Sequence, residues 1–220
     1  MSSLASERYT DRIATGPLIL VQEVLNTRAA GKPALDDLLS TPDSATSWLS
    51  GALDEWSRRS GTEAPAIEVD EPGLVRLQQL RASLQLTVSG VVRDAPVRSA
   101  PKGVSGSLEV RIDADGVFSL APRGKDVPWV VATALNEITN AQLTGTWRRL
   151  KMCRNRVCSV AFYDGTNPNN GAWHDVRICG NAVNLRASRQ RRAADLPRPA
   201  PQPFAARQEP HSAPGLMREG

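Results

Sequence analysis

Four potential metal donors fall within 27 residues of a 220-residue chain, and their spacing limits what this stretch can fold into. Cys153 and Cys158 are separated by four residues. His174 and Cys179 repeat that separation, and fifteen residues lie between the two pairs. These are all the cysteines of the chain; the other histidine is His211. Two close pairs joined by a loop are how a small tetrahedral site is assembled, with a tight turn supplying each pair. Three thiolates and one imidazole suit a borderline-soft ion such as zinc, whereas calcium and magnesium want oxygen. Four protein donors fill the shell and leave no position for water, so such a site is structural rather than catalytic. The alternative is three small buried cysteines and an ordinary loop histidine, because a spacing of four is looser than the common spacing of two. The loop between the pairs favours the metal. Gly165, Asn167, Pro168, Asn169, Asn170 and Gly171 offer little core, and a small module of that kind needs a staple. Zinc supplies roughly 10–16 kcal/mol to finger peptides near neutral pH.

The same stretch holds the positive charge. The chain carries a net +4, but residues 1–146 have 14 Lys/Arg against 18 Asp/Glu. Residues 147–192 have ten Lys/Arg against only Asp164 and Asp175. A basic excess concentrated in one segment points to a polyanionic partner such as nucleic acid. One cluster surrounds the first cysteine pair: Arg148, Arg149, Lys151, Arg154 and Arg156. The other follows the last cysteine: Arg186, Arg189, Arg191 and Arg192. Asn181 can cap a helix over 182–192, with Val183, Leu185 and Ala187 inward and the arginines outward. Arg suits phosphate and guanine edges because its fork donates bidentately. The competing reading is a solvated face, or contact with acidic residues of the N-terminal part. Val160, Phe162 and Tyr163 read as a short strand with Phe162 in the core. Trp173 reads as packing around the metal, with stacking on a base as the alternative.

Upstream, the pattern is mostly helical. Leu18, Val21, Val24 and Leu25 have helical spacing over 18–26. A second helical stretch is expected over about 34–40, with Leu35, Leu38 and Leu39 on one face. Pro42 sits near the start of a helix over 43–56, with Trp48, Leu49, Leu53 and Trp56 as core. Residues 60–72 read as loop. Leu74, Leu77, Leu80, Leu84 and Val88 mark a helix over 73–90, and 94–106 is a loop. Leu108, Val110 and Ile112 alternate with polar residues, Asp113 to Gly116 turns the chain, and Val117, Ser119 and Ala121 return. A last upstream helix runs from Asp126 to Asn140. The first residues, 1–14, read as a flexible polar terminus, and 193–220, with six prolines, as a disordered tail. Asn26, Thr27 and Arg28 are candidate polar contacts for a ligand, against a capping and turn role.

The expected fold is therefore α+β: a helix-rich domain with a β-hairpin over 15–140, then a small treble-clef-like zinc-finger module over 141–192. No stretch reaches the roughly 18 apolar residues of a membrane span, and no leader pattern is visible. An odd cysteine count argues against a secreted disulfide scaffold. These features place the chain in a reducing cytoplasm. No nucleophile elbow, phosphate loop or HExxH motif occurs, so an enzyme is not expected.

The C-x4-C pair, the stretch Phe162-Tyr163-Asp164-Gly165-Thr166, the Trp173-His174 to Cys179-Gly180-Asn181 element and the trailing basic helix resemble the CGNR zinc-finger family. The opening at 18–28 and 36–49 is similar to the ABATE domains that precede this finger. The resemblance covers about 15–192. It implies a bacterial, stress-induced transcription regulator, cytoplasmic and nucleoid-associated, that holds zinc on Cys153, Cys158, His174 and Cys179 and binds DNA through its arginines. The N-terminal domain would sense a small-molecule effector or form a homodimer. The chain departs from the family pattern twice. His174 stands at a usual cysteine, and Ala182 stands where the signature has arginine. The alternative is a zinc-stabilised protein-interaction module that does not touch DNA.

Overall fold

The structure, a computed structural model, describes residues 4–30, 35–89 and 103–194. The tail from 195 onward, residues 94–102 of the expected loop, and the first residue of the 34–40 stretch lie outside the described residues.

Its centre is helix α1 (Ile19–Asn26), entered through a short turn at Gly16–Leu18. All eight residues of α1 are buried, including Gln22, Glu23 and Asn26. Helical spacing predicts an apolar stripe; the helix is instead covered on every side, and its polar side chains serve as sockets. Helices α2 (Pro42–Ser60), α3 (Glu71–Ser89) and α4 (Asp126–Leu143) surround it. Each has its signal in sequence. Thr41 caps α2, its hydroxyl accepting from the Ser44 N–H at 3.2 Å while the Ser44 hydroxyl accepts from the Thr41 N–H at 3.1 Å. Pro42 stands at the first helical position, and Gly61, at φ 70°, ends the helix. Trp48, Leu49, Leu53 and Trp56 are all buried. In α3, Leu74, Leu77, Leu80 and Leu84 face the core. This helix starts at Glu71 and so takes Pro72 out of the expected loop; Asp70 caps it by accepting from the Gly73 N–H at 2.8 Å.

Two expectations fail here. Residues 35–37 are irregular and 38–40 form a turn and bend, not a helix. The Asp37 carboxylate accepts from the Leu39 N–H at 2.8 Å and so competes with a helical ladder. The N-terminal segment is not loose over 4–14. Ala5, Ser6 and Ala14 are fully buried. Glu23 accepts from the Ala5 N–H at 2.6 Å and the Ser6 N–H at 2.9 Å, and Gln22 accepts from the Ala14 N–H at 2.6 Å. A polar composition reads as solvated, but here α1 supplies the acceptors that the segment's backbone needs.

Strands β1 (Ser107–Ile112) and β2 (Phe118–Arg123) pair antiparallel, with Val110 opposite Leu120 and Ile112 opposite Phe118. Val117 belongs to the turn rather than the return strand, because Asp113 Oδ1 accepts from its N–H at 2.9 Å. Val110 and Phe118 remain 67% and 70% exposed. Strands β3 (Leu150–Met152) and β4 (Ala161–Tyr163) form a second small hairpin, and α5 (Asn181–Ala194) closes the described chain, extending two residues into the stretch assigned to the tail. The boundary expected at 140/141 is not a gap in packing. Leu150, Ala161 and Tyr163 belong to the same apolar core as α1 to α4. Among the described residues, no helix is long and apolar enough to cross a membrane.

Candidate metal centre

Strands β3 and β4 converge on a tight loop that carries the first cysteine pair. Cys153 donates its N–H to the Val160 carbonyl at 2.8 Å, and Cys158 donates to the Asn155 carbonyl at 2.8 Å. Ser159, at φ 58°, reverses the chain directly after Cys158. The second pair sits where a wide helical turn, Val176–Gly180, leads into α5. Asp175 caps this turn, accepting from the Ile178 N–H at 2.9 Å, so Asn181 is the first helical residue and not the cap expected from sequence. Gly180 admits the Trp173 ring: a β-carbon there would stand 3.2 Å from it. Trp173 packs against the cysteine cluster.

Cys153, Cys158, His174 and Cys179 are all buried, and their four donor atoms lie within 4.8 Å of one another. Cys158 Sγ is 3.2 Å from His174 Nδ1. A zinc tetrahedron with bonds of about 2.0–2.3 Å has edges of roughly 3.3–3.8 Å, so small adjustments bring the set onto one ion. The three cysteines are free thiols. A hydrogen bond from Cys158 and lesser contacts with His174 draw the Cys153 thiol down to about 4. The same Cys153–Cys158 contact, followed by burial, pushes Cys158 up, and burial pushes Cys179 up. A divalent ion would offset the burial and mutual repulsion that oppose ionising all three thiols together. The donor set, its burial and its mutual distances fit zinc.

Residues 149–192 match the family described as CGNR zinc finger. Among curated proteins, none matches the chain. The segment is a zinc-binding finger module, with one donor pair in the β3–β4 loop and the other in the stretch that leads into α5. Its signature reads Cys179-Gly180-Asn181-Ala182 here.

Two residues of the finger that sequence spacing passes over organise it. Asn155, buried, donates from Nδ2 to Cys179 Sγ at 3.2 Å and accepts from Arg186 Nη1 at 3.1 Å. Asp164 is fully buried and gathers five donors. Arg12 Nη2 at 2.9 Å and the Thr166 hydroxyl and N–H at 2.7 and 3.2 Å meet one oxygen. Lys151 Nζ and the Gly171 N–H, each at 2.7 Å, meet the other. Burial alone would raise its carboxyl; bonds from Lys151, Thr166 and Gly171 outweigh it and hold Asp164 well below the usual range. A side chain at Gly171 would meet Asp164 Oδ2 at 2.8 Å. Arg12 also donates to the Trp173 carbonyl at 2.7 Å and stacks 4.4 Å over Phe162, which is fully buried as expected. The motif around Asp164 carried this signal; the partner Arg12 lies 152 residues away and left none.

The basic residues separate into two groups. Arg149 donates to the Asp164 and Thr166 carbonyls at 2.9 and 2.8 Å. Lys151 is held by Asp164 and by the Asn169 carbonyl at 2.8 Å, and Arg186 by Asn155. These three, expected at a DNA surface, spend donors inside the fold. Arg148, Arg154, Arg156, Arg189, Arg191 and Arg192 are exposed, as are Arg186, despite its bond to Asn155, and Arg177, which was not among the expected contacts. On α5, Leu185 is 52% exposed rather than inward, while Val183 and Ala187 are half-buried.

The ligand candidates divide as well. Asn26 is buried, donating from Nδ2 to the Ala161 carbonyl at 2.9 Å and to Ser6 Oγ at 3.0 Å, and accepting from the Ala161 N–H at 2.8 Å. Thr27, also buried, donates to the Val24 carbonyl at 2.8 Å and accepts from Arg81 at 3.1 Å. Their polar atoms serve the fold. Arg28 is exposed and lines a cleft beside the finger.

Proposed function

We propose that the chain is a zinc-containing bacterial transcription regulator whose finger binds DNA and whose N-terminal part senses a ligand or forms a homodimer. The observation that carries this reading is the set of exposed arginines on a metal-held module, among them Arg148, Arg154, Arg156, Arg189, Arg191 and Arg192. Arginine forks reach phosphate and base edges, and the metal fixes the strand loop and helix that carry them. The ion's part is structural, because four protein donors close its shell; the reading assigns no catalysis. It places the protein in the cytoplasm at the nucleoid, in the stress-linked role that the family resemblance implies.

Anisotropy of zinc-loaded protein on a random duplex across a salt series tests it. Six phosphate contacts give a slope of log affinity on log salt of about −5, and replacing Arg189, Arg191 and Arg192 by Ala removes roughly three units. No binding at low salt overturns the reading. A second reading, a protein-interaction module, draws on Val157, Val176 and Ile178, which are exposed beside the metal centre. It predicts no salt-dependent binding to DNA.

A further inference from the structure

Between the last turns of α3 and the finger lies a cleft of about 910 Å3. Small-molecule sites occupy roughly 300–1,000 Å3. Its cationic lining comes from two parts of the chain. Arg28 follows α1, Arg148 precedes β3, and Arg154 and Arg156 belong to the cysteine loop; all four are exposed. Lys151 lines the cleft too, but Asp164 already neutralises it. No Asp or Glu lines the cleft among the described residues. Apolar lining is supplied by Leu86 of α3 and Met152 of β3. The backbone under Arg28 is fixed: the Tyr9 hydroxyl donates to the Arg28 carbonyl at 3.0 Å and accepts from the Ala30 N–H at 3.2 Å.

We propose that this cleft binds a nucleoside polyphosphate. Four guanidinium forks with no acid among them select an anion of several charges, and phosphate oxygens match the forks bidentately. Leu86 and Met152 offer a flat base a surface that inorganic phosphate would not use. The inference rests on the proposed regulator reading, for which it names the sensed ligand. Arg148, Arg154 and Arg156 serve both DNA and the cleft in that reading, whereas Arg28 lies outside the finger segment. Occupancy therefore withdraws three arginines from DNA and weakens its binding.

Calorimetric titration of the zinc-loaded full chain with ATP and with inorganic tripolyphosphate, beside duplex binding by anisotropy, tests the assignment. ATP binds saturably, one per chain, and more tightly than tripolyphosphate. Arg28→Ala weakens ATP at least about tenfold, the loss of one charge-assisted contact, and leaves the melting transition and the salt slope on DNA unchanged. Arg28→Lys, which keeps the charge without the fork, recovers part of the loss. Arg154→Ala with Arg156→Ala weakens both ligands. No saturable ATP binding at millimolar concentration, equal affinity for ATP and tripolyphosphate, or an Arg28→Ala variant identical to the parent overturns the proposal. ATP binding without any DNA binding leaves the cleft assignment standing and removes the DNA reading; the reverse outcome removes the cleft alone.

Discussion

Replacing Asn26 with Ala tests whether the helical part and the finger are one cooperative unit. Asn26 is 1% exposed and bridges α1 to β4 through both backbone groups of Ala161, while also holding Ser6 Oγ. Truncation leaves the Ala161 N–H unpaired in the core, while the Ser6 hydroxyl keeps the Glu23 carboxylate as a partner. The Ala161 carbonyl keeps a partner, Gln22 Nε2 at 3.2 Å. One orphaned neutral group gives a loss of roughly 1–3 kcal/mol. For a chain of this size that lowers the midpoint by about 2–12 °C. Asn26→Asp is informative beside it. The carboxylate still accepts from the Ala161 N–H but faces the Ala161 carbonyl with no proton to give. Its folded-state pKa is raised, so the variant is least stable at neutral pH and recovers as acid protonates it. Thermal and urea unfolding of the zinc-loaded protein, followed by helix signal and by zinc release to a chromogenic chelator, provides the readout. Coincident transitions, both displaced in the variant, are expected. A loss below about 0.5 kcal/mol, or zinc release unmoved while the helices melt earlier, refutes the reasoning.

Purified protein should hold about one zinc per chain by elemental analysis, as a closed four-donor site requires; unchanged metal in a Cys153→Ser, Cys179→Ser double variant would remove the site assignment. Asn155→Ala should speed chelator-driven zinc release by roughly 10–100-fold, because it removes the donor that orients Cys179 and the link to Arg186. Asp164 is depressed below its unfolded value, so its stabilisation is complete above about pH 4 and is lost as pH falls through the lower folded value. The acid limb of the stability profile should accordingly flatten in Asp164→Asn, and an unaltered limb would show that the carboxylate is not what acid titrates. Phe118→Ser should change the unfolding midpoint little, since the ring is 70% exposed on the β1–β2 hairpin; a large loss would mean that the hairpin face is covered in solution.

The metal donors were legible because coordination demands particular atoms at short chain separations, and Cys153, Cys158, His174 and Cys179 satisfy that demand locally. Helices α2 and α3 were legible for a similar reason: Pro42 and the leucine spacing of α3 act within a few residues. What escaped was long-range polar pairing. Gln22, Glu23 and Asn26 look like the wet side of an amphipathic helix, yet each fills its hydrogen bonds with backbone from residues 5–14 or 161. Nothing in helical periodicity separates a polar residue facing water from one facing an unpaired strand. The same blindness made residues 4–14 look frayed and made nine basic residues look alike. Asp164 and the carbonyls around it tie Arg149 and Lys151 into the finger, Asn155 tethers the exposed Arg186, and the other six face outward. Charge counting cannot see that a buried carboxylate needs cations of its own, and here Asp164 draws on Lys151 and Arg12. Arg12 lies far from the finger in sequence, so the N-terminal segment helps build the module that the spacing pattern alone would treat as self-contained.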